Sequence, residues 1–395
     1  LVYRCKDMQK GKKRKFTQAE RIAFTKKAEE EGIVLLKNNG VLPLENGQSL
    51  SMCGWFARPC AYNRKKPELI CGGGSGWVER ITPMFDMLEI MKRVHGGAVC
   101  YEPAFSEDGV DSSFMIPGNA VDNAAMSDVN LVFAGTGAHL ESEGGDKQTM
   151  RLYDAQERTI LDTAAVNKNT VVVLFAGSPV DMSEWVDEVA AVVYVGFPGE
   201  MGGEAIANVL TGKVNPSGKL SETFPLCYED TPVSKGYADT KITRYEEGLD
   251  VGYRYYDTYG VPVLFPFGHG MSYSEFAYKN LTLKKSGDKV EVNFGIENTS
   301  EIDGKEVSQI YVRAMSSYVY RPYKELKGFA KMLVKAGKTE NVCVKLDRHA
   351  FEYWSTATNG WKIEDGVYEI IIGASCADER LSAKVKIKNE ELTVL

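Results

Sequence analysis

The sequence has no long apolar run, no excess of positive charge and no dense cysteine pattern, and each absence excludes a class of protein. None of its apolar runs approaches the roughly 20 residues that a membrane-spanning helix needs, so no membrane partner is expected. The formal net charge of −7 at pH 7 argues against nucleic acid as a partner. The eight cysteines are scattered without CxxC pairs, which predicts free, mostly buried thiols in a reducing compartment.

The sequence also lacks the motifs by which many cofactors are bound. It contains no phosphate-binding P-loop, no cluster with metal-ligand spacing and no GxSxG turn, and Gly72-Gly73-Gly74 fits neither common nucleotide fingerprint. We therefore expect neither a cofactor nor a metal. No secretion signal opens the chain, which favours a cytoplasmic location. The chain begins at Leu1 rather than Met, so we expect its true amino terminus to be missing.

Residues 1–18 are predicted to form a charged lead-in, and residues 19–225 alternate apolar strands with helices. The lead-in contains the basic run Lys10–Lys15, which carries no interleaved aromatics and favours a linker. A helical pattern at Gln18–Glu31 is followed by wholly apolar runs such as 171–175. Such runs are typical of parallel strands that are covered on both faces. The prediction for 19–225 is an α/β domain with a mostly parallel sheet sandwiched by helices.

Near residue 285 the sequence pattern changes to short runs in which apolar and polar residues alternate strictly. Val290–Ile296 is one such run, and others begin at Val307, Asn341, Tyr368 and Leu381. Polar turns separate them, which predicts an all-β sandwich of fibronectin type III size over 285–389. The stretch 226–284 is rich in Tyr, Gly, Pro and Asp and is predicted to be an ordered connector packed across both domains.

One loop places three carboxylates and two glycines directly after an apolar strand. It reads Glu141-Ser142-Glu143-Gly144-Gly145-Asp146-Lys147 and follows the strand Val129–Gly135. Loops at the carboxyl ends of strands in open α/β sheets are where such folds bind ligands, and a carboxyl group held there can give or take a proton. Taken alone, the pattern also fits a solvated acidic turn.

Motifs in a fixed order along the chain resemble those of glycoside hydrolase family 3. Gly32–Asn38 with Leu42-Pro43-Leu44 resembles the opening of that family's α/β sandwich domain, and Cys71–Gly76 looks like its glycine-rich GGGS turn. Further segments resemble its strand-end loops, its NPSGKLP-type segment, its connector and its fibronectin-like domain: Gly177–Val180, Pro198–Gly203, Asn215–Leu220, Val251–Tyr256, Phe265–Tyr273, Asn298–Val307 and Glu325–Phe329. The resemblance covers roughly residues 19 to 388.

The resemblance implies retaining hydrolysis at the non-reducing end of β-linked sugars. In this family an Asp nucleophile comes from a (β/α)8 barrel, and a Glu acid/base comes from the α/β sandwich. That Glu precedes Gly-x-Asp-Arg in many of the family's β-glucosidases, and Glu143 matches it here. Glu143 is therefore the expected catalytic residue, and Glu141 is the rival. Gly144 and Asp146 are expected beside the substrate, with Asp146 and Lys147 chiefly holding the loop.

Two departures from the family pattern bear on the leaving-group sugar. Lys147 replaces the usual Arg, which removes a bidentate fork, and Gly145 stands where many relatives carry a Tyr that stacks on that sugar. Trp55, Phe56 or Trp77 could supply the stacking ring instead, since each sits at a strand end or beside the glycine-rich turn. A place in the buried core is the alternative for each of them.

The half of the site that would hold the nucleophile is missing from the sequence pattern. Ser127-Asp128-Val129 superficially matches the family's Ser-Asp-Trp motif, but Asp128 directly precedes a strand of the α/β domain. Nothing in the 395 residues has the length or repeat of a barrel of about 250 residues. The barrel is therefore expected as a second polypeptide or a downstream domain.

The expected substrate is a β-linked glucoside or a short oligosaccharide, because the Glu-Gly-x-Asp loop is commonest among β-glucosidases. A homodimer of the complete enzyme is kept open. The alternative function is a non-catalytic carbohydrate-binding or scaffolding module built from the same domains.

Overall fold

A six-stranded sheet forms the centre of the first domain. The computed structural model describes residues 16–58, 85–105, 117–137, 140–234, 236–237, 242 and 244–395. The order across the sheet is β1-β6-β5-β4-β2-β3, with β1 antiparallel to β6 and the other pairs parallel. The expected mostly parallel sheet is thus confirmed. The strands are β1 Val34–Asn38, β2 Leu50–Cys53, β3 Val99–Glu102, β4 Val129–Gly135, β5 Thr170–Phe175 and β6 Ala191–Tyr194.

Helices cover this sheet. Every residue of β4 and β5 is buried, as their largely apolar sequences require when both faces of a sheet are covered. The helix α5 packs against α1 and α2, and α3 packs against α4. The helix α1 begins with a capping box in which Thr17 and Glu20 satisfy each other's backbone amides. The helices are α1 Gln18–Gly32, α2 Met87–Val94, α3 Pro117–Ala125, α4 Asp154–Val166 and α5 Gly202–Leu210.

The connector closes the outer edge of strand β1. It contains α6 Tyr253–Tyr259 and β8 Val263–Phe265, and β8 pairs with β7 Phe224–Pro225, which directly precedes the connector. The backbone N–H of Met271 donates to the carbonyl oxygen of Leu35 at 2.7 Å, and Nε2 of His269 lies 2.9 Å from the carbonyl oxygen of Leu36. Burial lowers the pKa of His269, which favours the neutral ring that donates through Nε2. The connector thereby satisfies two carbonyl groups of the edge strand β1.

The second domain is an antiparallel sandwich, as expected. One sheet has the order β13-β10-β9 and the other β12-β11-β16-β17-β18. Alternate apolar residues of β10 and β16, such as Val292 and Ile370, fill the core between them. The strands are β9 Phe276–Ser286, β10 Lys289–Asn298, β11 Gly304–Ala314, β12 Glu325–Val334, β13 Thr339–Leu346, β16 Gly366–Gly373, β17 Glu379–Lys388 and β18 Glu391–Val394, with a separate ribbon of β14 Tyr353–Ser355 and β15 Gly360–Lys362.

The sandwich begins earlier than the predicted residue 285. Strand β9 starts at Phe276, so the end of the stretch assigned to the connector, 226–284, pairs with β10 along its length. Its apolar pattern changes phase, because Asn280 has a positive φ of 58° and the register shifts beside it. The partly buried residues Tyr278 and Leu281 therefore fall out of strict alternation, which hid the strand in the sequence.

An ion cluster joins the two domains at the end of α1. The Glu31 carboxylate pairs with Lys305 of β11 and, at 2.7 Å, with Lys331 of β12. Lys331 also donates to the Glu31 carbonyl oxygen at 3.1 Å. Burial raises the pKa of Glu31, but hydrogen bonds from the two lysines outweigh it and hold the pKa below its ordinary value.

Within the described ranges no helix has the length and apolarity needed to cross a membrane. The expected cytoplasmic location stays a prediction. The five described cysteines are free thiols, but only Cys53 and Cys376 are buried, whereas Cys100 and Cys343 are exposed. The expectation of mostly buried thiols is therefore not met in this part of the chain, because Cys100 and Cys343 lie on strands near sheet edges.

We predict that Glu31→Gln lowers stability at pH 7 by about 1 kcal/mol, a modest cost because the pair is partly exposed. A lowered folded-state pKa means that the contribution is present at neutral pH and is lost as the pH falls through that pKa. The difference in thermal midpoint between variant and wild type should therefore shrink from pH 7 to pH 3. Exposed Glu340→Gln is the control, and an equal Glu31→Gln effect at both pH values would contradict the prediction.

Candidate active site

The carboxyl ends of β4, β5 and β6 lie side by side, so the loops that follow these strands meet at one rim of the sheet. The strands are hydrogen-bonded neighbours in parallel register, with Gly135 opposite Phe175 and Leu174 opposite Tyr194. This is the edge at which open α/β sheets place their ligands. The acidic loop 141–147 follows β4 and therefore stands on this rim.

Glu141 anchors the root of the loop. Its Oε1 accepts a hydrogen bond from Thr136 Oγ1 at 2.7 Å and a longer one from the backbone N–H of Gly177 at 3.3 Å. Lys147 forms an ion pair with the same carboxylate, whose side chain is 12% exposed. Glu141 thus joins the loop after β4 to the loop after β5.

Lys147 completes this anchor. Its Nζ donates to Ser178 Oγ at 2.5 Å as well as to the Glu141 carboxylate. A point-charge ammonium can serve these two acceptors, although it lacks the planar fork of the arginine that it replaces. The expectation that Lys147 holds the loop agrees with these contacts.

Glu143 and the two glycines form the exposed tip of the loop. Gly144 has a φ of +80°, a conformation that favours glycine and turns the chain there. A Cβ atom at Gly144 or at Gly145 would meet nothing within 4 Å. Glu143 is exposed, two residues beyond the anchored Glu141.

Asp146 links the loop to the connector. Its Oδ1 accepts a hydrogen bond of 2.6 Å from Tyr237 Oη, and this bond to a carboxylate raises the pKa of Tyr237. No sequence motif indicated this contact, although the abundance of Tyr in the connector was a general signal. The predicted loop-holding role of Asp146 agrees with this contact, and its contact with substrate stays a prediction.

Two of the three aromatic side chains that were predicted to stack on a sugar are buried. Trp55 is 3% exposed and packs edge-on against Phe56 at 5.1 Å, and Phe56 stacks on Phe175 at 5.3 Å. Both rings belong to the hydrophobic core, so neither offers a face to a sugar here. The short 3₁₀ turn Trp55–Ala57 points them inward, a detail that the strand-end position did not reveal. Trp77 and the glycine-rich turn lie outside the described residues.

Asp128 lies at the opposite end of the sheet from the acidic loop. Its Oδ2 accepts hydrogen bonds of 2.7 Å from both the backbone N–H and Oγ of Ser49, where β2 and β4 begin. These bonds lower its pKa and tie two strand starts together. Asp128 is a structural residue, as its sequence context indicated.

Glu222 is a half-buried carboxyl group beside the anchor that sequence reasoning missed. Burial raises its pKa, the Lys147 charge opposes that rise, and the Glu141 charge adds to it. Glu222 lies in the segment after Asn215–Leu220, which was read only as a family motif. In the described part of the chain, no group of His, Cys, Asp and Glu could hold a metal ion.

The model of the glycosyl hydrolase family 3 C-terminal domain matches residues 33–273. The chain belongs to this family. A fibronectin type III-like domain model matches residues 306–376 of this family 3 chain. Both matches confirm the family that the ordered motifs indicated.

Curated relatives of this family 3 chain are about twice its length. It is 38% identical over 378 residues to thermostable beta-glucosidase B of Acetivibrio thermocellus, which covers 93% of this chain and 48% of the relative. It is 36% identical over 375 residues to an exo-alpha-(1->6)-L-arabinopyranosidase of Bifidobacterium breve, covering 92% of this chain and 48% of that one. The chain therefore spans about half the length of these relatives.

The fold of the family 3 chain matches solved structures. The GH3 beta-glucosidase of Bifidobacterium adolescentis superposes with a TM-score of 0.85 at 35% identity, covering 98% of this chain and 56% of that one. A beta-glucosidase from Streptomyces venezuelae in complex with D-glucose gives a TM-score of 0.85 at 26% identity, covering 96% and 61%. The two-domain arrangement is therefore that of family 3.

We predict that Glu222→Gln stabilises the chain at neutral pH. A raised folded-state pKa means that ionising Glu222 costs stability as the pH rises through that pKa, and Gln removes this cost. The thermal midpoint of the variant should exceed that of the wild type at pH 7.5, and the difference should vanish near pH 4. Exposed Glu45→Gln should show no such trend, and a destabilised Glu222→Gln at pH 7.5 would refute the assignment.

Proposed function

We propose that this chain supplies the general acid/base half of a retaining exo-acting β-glycosidase, with Glu143 as the acid/base. The Asp nucleophile would lie on a (β/α)8 barrel outside these 395 residues. Family membership and relatives named beta-glucosidase support this proposal. The contacts of the acidic loop are the reason for choosing Glu143 rather than Glu141 as the acid/base.

Glu141 and Glu143 have different surroundings, and the difference favours Glu143. Four donors converge on Oε1 of Glu141: Thr136, Lys147, Gly177 and Ser178. A carboxylate with this many donors is held in place, whereas an acid/base must reach the glycosidic oxygen and exchange a proton with it. Glu143 stands at the exposed tip of the loop, where it can meet a sugar held by a second domain.

The mechanism follows from this placement. Glu143 would protonate the oxygen of the leaving group while the barrel's Asp attacks the anomeric carbon and forms a glycosyl-enzyme intermediate. Glu143, now ionised, would take a proton from the water that releases the sugar. The two carboxyl groups must lie about 5–5.5 Å apart for this chemistry, so the barrel would dock over the rim of the sheet.

The connector would form part of that docking surface. Tyr237 contacts the acidic loop and is 54% exposed, and Tyr245, further along the connector, is 81% exposed. Exposed aromatic rings beside a candidate site are typical of surfaces that become buried in a complex. A barrel seated there would also exclude water from Glu143.

A β-glucoside is the first substrate to test. The relatives named beta-glucosidase and the Glu-Gly-x-Asp loop favour glucose as the terminal sugar. Aryl arabinopyranosides are the second set of substrates to test, because two relatives are named as arabinopyranosidases.

We predict that Glu143→Ala, in the enzyme completed by its barrel, slows cellobiose hydrolysis by about 100-fold or more. An activated aryl glucoside should lose far less in the first step, because its leaving group needs little protonation. Added azide should restore turnover of the aryl glucoside by attacking the glycosyl-enzyme in place of activated water.

Glu141→Ala and Glu45→Ala serve as comparisons. Glu141→Ala should loosen the loop and lower activity on both substrates without azide rescue, and Glu45→Ala should behave like the wild type. If Glu143→Ala keeps near-wild-type cellobiose turnover while Glu141→Ala shows the azide rescue, the acid/base is Glu141.

We also predict that the purified 395-residue chain alone does not hydrolyse aryl β-glucosides. An acid without a nucleophile cannot form the covalent intermediate. Activity should appear when a chain or domain with a (β/α)8 barrel and a Ser-Asp-Trp motif is added. Turnover by the chain alone that disappears with Glu143→Ala would overturn the two-part proposal, and inactivity with every barrel tested would favour the non-catalytic alternative.

A further inference from the structure

A cavity of about 760 Å³ opens in the sandwich domain, between the connector and the ribbon of β14 and β15. Leu249 and Arg254 of the connector form one side, and Trp354 and Trp361 of the ribbon form another. The volume lies within the range of small-molecule sites, and it shares no lining residue with the loop 141–147.

Charged residues in the lining of the cavity carry more positive than negative charge. Arg254, Arg321 and Lys327 all lie 3.3–3.5 Å from one carboxylate, that of Glu325. The other acidic residue in the lining, Glu352, already pairs with Arg348 and His349. Three cations thus share one carboxylate, in a chain whose net charge is −7.

The excess of positive charge affects the pKa of Lys327, the one lysine among the three cations. Burial lowers the pKa of Lys327, Glu325 opposes this, and the neighbouring Arg321 and Arg254 lower the pKa further. The Lys327 side chain is only 17% exposed. An anion placed beside it would relieve the repulsion between the cations.

The lining of the cavity also contains exposed aromatic rings. Trp354 and Trp361 pair across the ribbon with ring centroids 5.5 Å apart and planes at 81°. They remain 49% and 55% exposed, and Tyr320, also in the lining, is 55% exposed. The electron-rich face of an indole attracts the weakly positive C–H groups of a sugar ring. Ser355 and Thr356 add hydroxyl groups to the same lining.

We propose that this cavity binds an acidic oligosaccharide, with the sugar carboxylate beside Arg254 and Lys327 and a sugar ring against Trp354 or Trp361. A ligand of this class combines one negative charge, a ring with an apolar face and several hydroxyls. These groups match the cations, the indole rings and the hydroxyl groups of the lining. The proposal goes beyond the proposed hydrolysis and does not depend on Glu143.

Calorimetric titration of the full chain with two disaccharides that differ in one group tests the proposal. Cellobiouronic acid, which carries a carboxylate on its terminal ring, should bind at least tenfold more tightly than cellobiose at 50 mM salt. The preference should fall in 500 mM salt, because salt screens charge pairs. Equal binding of both sugars, or no binding of the acid at millimolar concentration, would refute the proposal.

Variants connect the binding to the cavity. Arg254→Gln should reduce the preference for the acid to about twofold or less, whereas Trp361→Ala should weaken both sugars by similar factors. Lys386→Gln and Phe329→Ala change an exposed cation and an exposed aromatic outside the lining, and should leave binding unchanged. Binding that is insensitive to Arg254→Gln and Trp361→Ala would refute the site.

A measurement on the wild-type chain covers the case in which a variant does not fold. Among the five tryptophans, the indole N–H signals of Trp354 and Trp361 should shift on adding cellobiouronic acid, and that of the buried Trp55 should not. ATP serves as a competing anion with a flat ring. If ATP shifts the two signals and the acidic disaccharide does not, the site is a nucleotide site and the proposal fails.

Discussion

The arrangement of the two domains depends on the edge strand β1. This strand is antiparallel to its one neighbour in the sheet, and its other side pairs with the connector through Leu35 and Met271. The helix that precedes it ends at the Glu31 cluster on the sandwich. Sheet, connector and sandwich therefore all have contacts at β1 and the helix that precedes it.

In the proposed function, the two glutamates of the acidic loop have two different tasks. Glu141 and Glu143 are two residues apart and chemically identical, yet donors from two loops enclose the carboxylate of Glu141, whereas Glu143 is exposed at the tip. The anchor needs a carboxylate that stays in place, and the proposed acid/base chemistry needs one that reaches outward. The same residue cannot serve both requirements well, which is the physical basis for assigning the chemistry to Glu143.

Periodicity predicted the elements that bury a continuous face, and it failed where a strand is irregular or at an edge. The largely apolar β5 and the alternating β10 were both indicated, whereas β9 was hidden by the phase change at Asn280. An apolar run does not encode strand direction, so the antiparallel β1 was not foreseen. Long-range contacts such as that of Asp146 with Tyr237 leave no local pattern, and a strand-end position did not show that Trp55 turns inward.

Because a Cβ atom at Gly144 or Gly145 would contact no other residue, the tip of the loop can change without disturbing the packing of the domain. The loop is held through Glu141, Asp146 and Lys147, whereas a Cβ atom at Gly144 or Gly145 would meet nothing within 4 Å. Insertions or bulky side chains at Gly145 would thus meet open space rather than the sheet. In the proposed enzyme, substitutions in this short stretch could alter which leaving groups are accepted while the scaffold beneath keeps its stability, so recognition and folding can evolve independently here.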